Sequence, residues 1–457
     1  MRKHEFFKRT TILLLSLIGL IFQTAVYAYL WYRIYFPFIG NRLPFWQRGH
    51  WLLILLYFAL LFLFSQTYGG TKIGYLKATD VFFSQLFALL CVNVISYVQL
   101  SLMGMTLLRP SYMVKASFVQ LAIAGIWTII CQQVYRRLFP PRKMLLIHGD
   151  RPIEDILNKF ATRKDKYNIV KCMNLSEGME SIRKEIVSGY EAVVIWDIPT
   201  SARNDLVKFC YSRYLRVYMM PKITDVIVHG ADPIHLFDTP IFLTREYAFT
   251  VEQRMMKRLI DVVCALLLVV ITSPFMLLAA IAVKLYDGGP VLYKQIRCTI
   301  GGREFKILKF RSMRVDAEKD GVARLASQND SRITPVGRFI RKVRLDELPQ
   351  LFNILKGDMS FIGPRPERPE IIRQYMEQMP EFAFRMKVKA GLAGYAQVYG
   401  KYNTTPYDKL KLDLFYIENY SLWLDIKLML LTLKILFQPE STEGVDENQT
   451  TAMKNGG

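Results

Sequence analysis

Beyond residue 235 this 457-residue chain lacks histidine: the five histidines stand at 4, 50, 148, 229 and 235. Chemistry in the part that follows must therefore run on carboxylates or lysines, not on an imidazole base, nucleophile or metal ligand. The six cysteines, at 91, 131, 172, 210, 264 and 298, are scattered with no C-x-x-C spacing. That excludes a zinc module and a disulfide scaffold and fits a reducing cytosolic face. Acidic residues are outnumbered, 39 against 60 Lys and Arg, for a formal charge of +21. Such a balance favours anionic partners: nucleic acid, lipid headgroups or phosphorylated substrates. No internal repeat or low-complexity tract is visible. At 52% hydrophobic residues the chain is not disordered, and at about 150 residues per domain its length suggests about three units.

Apolar runs decide between those partners. Residues 11–31, 51–68, 81–108 and 112–131 are each near the ~20 residues that cross a ~30 Å hydrocarbon core. They predict four membrane helices over 1–139 and a membrane-lipid partner, with no nucleic acid. The first run has no small-residue cleavage site after it and reads as retained. Arg2, Lys3, Lys8 and Arg9 precede it, and Arg136, Arg137, Arg142 and Lys143 follow the fourth run. Both ends of a four-span block share one side, and these charges make it the cytoplasmic one, although Arg33, Arg42 and Arg48 blur the signal.

Residues 140–245 read as α/β. Strands are expected at 144–148, 192–196 and 216–220, with polar helices at 152–163 and 179–188, which implies a small parallel, Rossmann-like sheet. Gly149-Asp150-Arg151-Pro152 follows the first strand, where a dinucleotide site would need G-x-G-x-x-G. A structural or regulatory domain is the better expectation.

A fifth apolar stretch, 259–285, is interrupted by Ser273-Pro274 and flanked by Lys257 and Arg258 before it and Lys284, Lys294 and Arg297 after it. A single span would put one basic cluster outside. Proline removes a helical hydrogen bond, and Ser273 can satisfy the freed carbonyl. A helix that bends at Pro274 and re-enters one leaflet fits both facts; a kinked span is the alternative.

Residues 290–400 are dense in Arg, Lys, Gly and Pro. Adjacent acids such as Asp346 and Glu347 are commonly a solvated helix face. Here Leu345, Leu348, Leu351 and Phe352 surround them, and Arg338, Arg341 and Arg344 precede them about one helical turn apart. A carboxylate pair on a partly buried helix in a positive field suits a diphosphate, because guanidinium forks match phosphate oxygens. One carboxylate would ligate a metal, with Mg2+ the natural ion, and the other would act as nucleophile or base. Gly363-Pro364-Arg365-Pro366 is a rigid turn presenting one arginine. Lys309 and Arg311 stand on a basic strand that could equally be solvated.

From Lys257 to about Thr432 the chain resembles the bacterial sugar transferases, the monotopic polyprenyl-phosphate phosphoglycosyl transferases. The matching residues are Lys257-Arg258-x-x-Asp261, Ser273-Pro274, Asp287-Gly288-Gly289-Pro290, Gln295-x-Arg297, Lys309-Phe310-Arg311-Ser312-Met313 and Asp330-x-Arg332-x-Thr334. They continue through Leu345-Asp346-Glu347-Leu348-Pro349-Gln350, Gly357-Asp358-Met359-Ser360, Gly363-Pro364-Arg365-Pro366-Glu367, Gly394-Tyr395-Ala396-Gln397-Val398 and Asp413-x-x-Tyr416. The resemblance implies transfer of sugar-1-phosphate from a UDP-sugar to undecaprenyl phosphate with release of UMP, the first membrane step of exopolysaccharide or capsule assembly. It implies a covalent intermediate on Asp346, Mg2+ on Glu347 and phosphate contacts from Arg341 and Arg365. Lys309, Arg311 and Arg297 join these as candidate substrate-binding residues, and Ser273-Pro274 as the kink of the re-entrant helix.

The expected architecture is then an N-terminal four-helix transmembrane bundle (1–139), a middle α/β domain (140–245), a mainly helical catalytic domain (250–440) with its re-entrant helix, and a disordered tail (441–457). The protein would be a multi-pass protein of the bacterial inner membrane with its catalytic domain on the cytoplasmic face, and a homodimer is possible. Ala390 and Ala393 depart from the family's usual Lys-Pro-Gly-x-Thr-Gly, which puts donor preference in question. Residues 421–437 are divided between an interfacial and a core helix. Two other functions are the alternatives: a conventional UDP-sugar glycosyltransferase, which would want an Asp-x-Asp motif that the catalytic block lacks, and a non-catalytic membrane scaffold.

Overall fold

The computed structural model describes residues 7–39, 49–244, 248–314, 332–400 and 404–436. Arg2, Lys3, Arg42, Arg48, Asp330 and the tail 441–457 lie outside them. The chain divides into two compact units, 1–220 and 221–457.

The first unit opens with four long apolar helices. Helix α1 (Lys8–Leu30) runs through a π turn (Trp31–Tyr35) into Phe36–Ile39; α2 is Gly49–Tyr68, α3 Ala78–Met103 and α4 Ser111–Leu138. Each is long and apolar enough to cross a membrane. Where lipid is as apolar as leucine, polar side chains and close packing join helices. The Tyr57 hydroxyl donates to Asn93 Oδ1 (2.7 Å), and Asn93 Nδ2 donates to Gln120 Oε1 (2.8 Å). Gln120 Nε2 in turn donates to the Gln23 carbonyl (2.9 Å), so one network links all four helices.

The α/β part of this unit has strands β1 (Arg142–His148), β2 (Tyr167–Asn174), β3 (Ala192–Trp196) and β4 (Arg216–Met219), all parallel in the order β2-β1-β3-β4. Alternation divides its faces. Leu145, Ile147, Val193 and Ile195 pack on α6 (Met179–Val187) and α7 (Thr200–Ser212); Met144, Leu146 and Val194 pack on α5 (Glu154–Ala161). Strand β2 escapes the sequence pattern because it is a half-exposed edge with lysine and asparagine among its apolar residues. Arg163 holds this layer to the loop between α2 and α3, donating to the carbonyls of Tyr75 (2.5 Å) and Gly74 (3.2 Å).

In the second unit, α8 (Ile223–His229) and an antiparallel hairpin, β5 (Asp232–Leu236) and β6 (Thr239–Leu243), precede the 37-residue helix α9 (Val251–Asp287). Thr250 caps α9, accepting from the Gln253 N–H, and Gly288 ends it in the left-handed region (φ 69°). Pro274 can give no N–H to the Val270 carbonyl; Ser273 Oγ donates to it instead at 2.9 Å.

Both halves of α9 are anchored to the same unit. In the first half, buried Lys257 pairs with Asp425 (2.6 Å) and donates to Tyr416 Oη (3.1 Å). Asp261 accepts from Ser360 Oγ and the Phe361 N–H, and Arg258 donates to the carbonyls of Ile354 and Leu355. In the second half, Ala279 and Val283 pack with Phe310 and Ile340. Between these anchors Val270, Ile271, Phe275, Leu277 and Leu278 are exposed.

The remaining elements are the hairpin β7 (Leu292–Cys298) and β8 (Glu304–Phe310), α10 (Pro335–Lys342), α11 (Gln350–Lys356), β9 (Ser360–Ile362) and α12 (Pro369–Gln378). After them come a 3-10 segment (Pro380–Lys387), β10 (Gly391–Ala393, parallel to β9), α13 (Tyr395–Tyr399), α14 (Pro406–Glu418) and α15 (Leu422–Leu436). Leu351, Ile354, Met359, Phe382, Leu414 and Leu428 form the core. Leu428 and Asp425 of α15 are buried in this unit, while its Trp423 and Leu433 are exposed.

Removing one partner of a buried pair strands the other charge, at a cost of about 3–5 kcal/mol. Lys257→Met should therefore lower the thermal unfolding temperature of the full chain in detergent, and adding Asp425→Leu should recover most of it. A single variant that melts like the wild type would show that this pair does not anchor α9.

Candidate active site

The Asp-Glu pair does not sit on the helix that its flanking arginines suggested. Helix α10 starts at Thr334, whose Oγ1 accepts from the Gly337 N–H (2.8 Å). A Cβ at Gly337 would collide with the Ser312 carbonyl, so glycine here lets the Lys-Phe-Arg-Ser segment lie against the helix start. Arg338 and Arg341 share α10, but Arg344 adopts a left-handed backbone (φ 58°) that breaks the period. The chain then makes one 3-10 turn, Leu345–Glu347, before α11. Leu345 packs with the second half of α9 and Leu348 with the main core, so the turn is held between two apolar clusters.

This placement gives the two acids opposite characters. Asp346 is buried, and burial first, then the Glu347 charge, pushes its carboxyl up to about 6, against the pull of Lys309, Arg341 and Arg344. For Glu347, burial also acts upward, but Lys309, Arg365 and Arg344 outweigh it and hold the carboxyl down to about 2. Lys309 Nζ donates to Glu347 Oε1 at 3.0 Å; Arg365 Nη2 stands 3.8 Å from the same oxygen and Arg344 Nη1 3.8 Å from Oε2. One acid is firmly ionised and the other poised near neutrality, the division that acid–base and nucleophilic centres exploit.

Asp346, Glu347, Lys309, Arg341 and Arg365 thus come together. Arg344, which the sequence offered only as part of a basic run, joins them. Arg311 does not: its buried guanidinium is clamped on Asp287 and lies against Gly289. Arg297 donates to the Pro366 carbonyl (3.1 Å) and Gln295 (2.5 Å), beneath the arginine turn. Burial lowers its guanidinium to about 10 despite Glu367 nearby.

The departures at 390 and 393 have a structural counterpart. The Ala390 N–H donates to Thr299 Oγ1 (3.1 Å), which donates to the Asp358 carbonyl (2.9 Å). Proline at 390 would have no hydrogen to give. The Ala393 carbonyl accepts from the Gly363 N–H (2.9 Å). Gly363 and Gly391 approach so closely that a Cβ on either would strike the other strand's backbone.

Among the described residues no group of three or more His, Cys, Asp or Glu comes together. Mg2+ needs less, since it binds through one or two carboxylates and takes its other oxygens from phosphates and water. The oxygen-only pair, with Glu347 ionised, fits that ion.

A turn of carboxylates and arginines thus stands beside the proline-containing apolar helix α9. The family model for bacterial sugar transferases matches residues 252–439. The chain is 38% identical over 233 residues to the UDP-N-acetylgalactosamine-undecaprenyl-phosphate N-acetylgalactosaminephosphotransferase of Aeromonas hydrophila, covering 50% of this chain and 53% of that protein. To the UDP-glucose:undecaprenyl-phosphate glucose-1-phosphate transferase of Escherichia coli it is 40% identical over 211 residues, 45% and 44% of the two chains. The protein of the same name from Caulobacter vibrioides is 42% identical over 190 residues, 40% of this chain and 71% of the relative. The chain belongs to the bacterial sugar transferase family. It spans about half the length of the first two relatives.

The strain at Asp346 has a sign that can be tested. Its folded value of about 6 lies above the ordinary 3.8, so the folded chain binds this proton more tightly than the unfolded one. That contribution to stability is fully present below about pH 3.8 and is lost as pH rises through about 6. Asp346→Asn should therefore be more stable than the wild type at pH 7.5 in EDTA, by on the order of 2 kcal/mol, with the gap in Tm closing by pH 4. An Asn variant that melts lower at pH 7.5 would refute the strain.

Proposed function

We propose that this protein transfers sugar-1-phosphate from a UDP-sugar to undecaprenyl phosphate, releasing UMP, as the membrane step that opens exopolysaccharide or capsule assembly. The observation that carries the reading is the buried Asp346 beside a Glu347 that Lys309 bonds at 3.0 Å and that Arg344 and Arg365 approach to 3.8 Å. The activities for which the relatives are named agree with it.

In the first half-reaction an Asp346 carboxylate oxygen attacks the β-phosphorus of the UDP-sugar. A carboxyl–phosphorus bond forms, the Pβ–O bond to the α-phosphate breaks, and UMP leaves with that oxygen's electron pair. In the second, a phosphate oxygen of undecaprenyl phosphate attacks the same phosphorus. The aspartyl–phosphorus bond breaks and the carboxylate is restored, leaving a polyprenyl-diphosphate sugar. With its value near 6 the Asp346 carboxyl is ionised at neutral pH yet more basic than an ordinary aspartate, which favours attack. Arg365, half exposed, and Arg341 would meet the phosphate oxygens, and Lys309 would keep Glu347 in place. Glu347 would hold Mg2+, which when bound neutralises charge on the diphosphate.

Helix α9 supports a re-entrant placement. Its two halves are anchored to residues of one unit, whereas a crossing helix would bring its two ends to opposite sides of the membrane. The even number of preceding apolar helices returns the chain to the side where it began. With basic residues at the exit of α4, we assign that side to the cytoplasmic face of the inner membrane. Four facing apolar helices also give a homodimer surface to pack.

The full chain in nanodiscs with undecaprenyl phosphate, Mg2+ and a panel of UDP-sugars should release UMP. Asp346→Asn should lower the rate at least about 1,000-fold, and UDP-sugar labelled at the β-phosphate should leave label on denatured wild type but not on the variant. Release of UDP in place of UMP would overturn the phosphosugar mechanism in favour of simple glycosyl transfer. UMP release by the Asn variant at the wild-type rate would remove Asp346 from it.

A further inference from the structure

Arg365 is presented by an unusual piece of backbone. Prolines stand on both sides of it, at 364 and 366, and neither has an N–H. Such a turn must be gripped largely through its carbonyls, and four consecutive ones are taken. The Pro364 carbonyl accepts from the Gly391 N–H (2.9 Å) and the Glu367 carbonyl from the Cys298 N–H (3.0 Å). The Pro366 carbonyl accepts from Arg297 Nη1 (3.1 Å), and the Arg365 carbonyl from Arg385 Nη2 (3.0 Å).

Arg385 comes from the 3-10 segment and is too deep to touch a substrate, its side chain 3% exposed. Its Nε and Nη2 pair with Asp413 Oδ2 at 3.0 and 2.8 Å, and Asp413, on α14, is 1% exposed. The guanidinium lies 4.9 Å from the buried Phe382 ring, and its Nη1 stands 3.7 Å from Glu367 Oε1. Lys409 donates to the same Glu367 oxygen, and Arg297 stands 3.8 Å from the other. A buried ion pair is a poor device for stability, since well-packed apolar residues commonly do as well. What apolar residues could not supply is a donor to the Arg365 carbonyl.

We propose that Arg385, oriented by Asp413, is a positioning residue for Arg365: it fixes the arginine's backbone so that its exposed guanidinium meets the diphosphate without first being ordered. The inference rests on the transfer reaction proposed above for its kinetic consequence, but the pinning of the turn stands apart from it.

The test is a cycle in the full chain in nanodiscs. Arg385→Met/Asp413→Leu removes both charges together and should melt within a few degrees of the wild type. Its kcat/KM for the UDP-sugar should fall about 10- to 100-fold. Arg365→Ala should then cost far less in this background than in the wild type, because the two residues act in series. Should the pair fail to fold, Arg385→Lys keeps the charge opposite Asp413 and loses the fork that reaches the carbonyl; it should show the same loss. Equal costs of Arg365→Ala in both backgrounds, or wild-type kcat/KM in the pair, would overturn the proposal. Amide exchange separates this from the reaction itself. The Gly391 and Cys298 N–H groups, which hold the neighbouring carbonyls, should exchange faster in the pair variant whatever the enzyme catalyses. Unchanged exchange there would refute the pinning, whereas faster exchange in a protein that releases no UMP would refute the reaction alone.

Discussion

The contact between Lys309 and Glu347 holds the electrostatics of this centre together. It joins strand β8 to the 3-10 turn, and it acts on both acids at once, paired with Glu347 and lowering Asp346 as well. Two adjacent buried carboxylates left to themselves would share one proton, and neither would have a defined role. Lys309 breaks that symmetry. Its pairing holds Glu347 low, while burial keeps Asp346 above the ordinary range, so that one short turn carries two chemically distinct acids.

The rest of the positive charge divides into two kinds. Arg311 is spent on Asp287, Arg297 on the Pro366 carbonyl and Arg385 on Asp413 and the Arg365 carbonyl. These arginines build the walls. Arg365, by contrast, offers its guanidinium outward. A block that reads as uniformly basic therefore includes arginines spent on internal bracing, and the field a phosphate would meet comes from the cations gathered around Glu347. Arginine suits both uses, since its rigid fork satisfies several acceptors from one side chain.

How far the sequence disclosed this depended on the distance over which each signal acts. The apolar runs gave the four N-terminal helices, because their hydropathy is continuous over whole turns; α1, α2 and α4 run a few residues further, whereas α3 stops at Met103, short of the end of its run at 108. Ser273 and Pro274 showed their pairing directly, the hydroxyl meeting the carbonyl that the proline abandons. Strand β2 was missed because an edge strand need not be apolar. The hairpin β5–β6 was missed because Pro233 and Pro240 break its pattern. The arginines at 338, 341 and 344 suggested one continuous helix, and the left-handed backbone of Arg344 ends it. The Arg385–Asp413 pair left no local trace, since it joins segments far apart in sequence and only the fold makes them neighbours.

One feature of α9 bears on how the chain reaches its membrane. Its N-terminal half is pinned by Lys257 and Asp425, and its C-terminal half by Val283 and Phe310, all within one unit. In the re-entrant placement proposed above, a helix tied down at both ends within one unit carries no polar segment across the bilayer. In that placement the second unit folds in water with the apolar middle of α9 exposed and then settles into a single leaflet. Its insertion would be driven by the apolar surface of Val270, Ile271, Phe275, Leu277 and Leu278 alone, with no demand on machinery that threads chains through membranes.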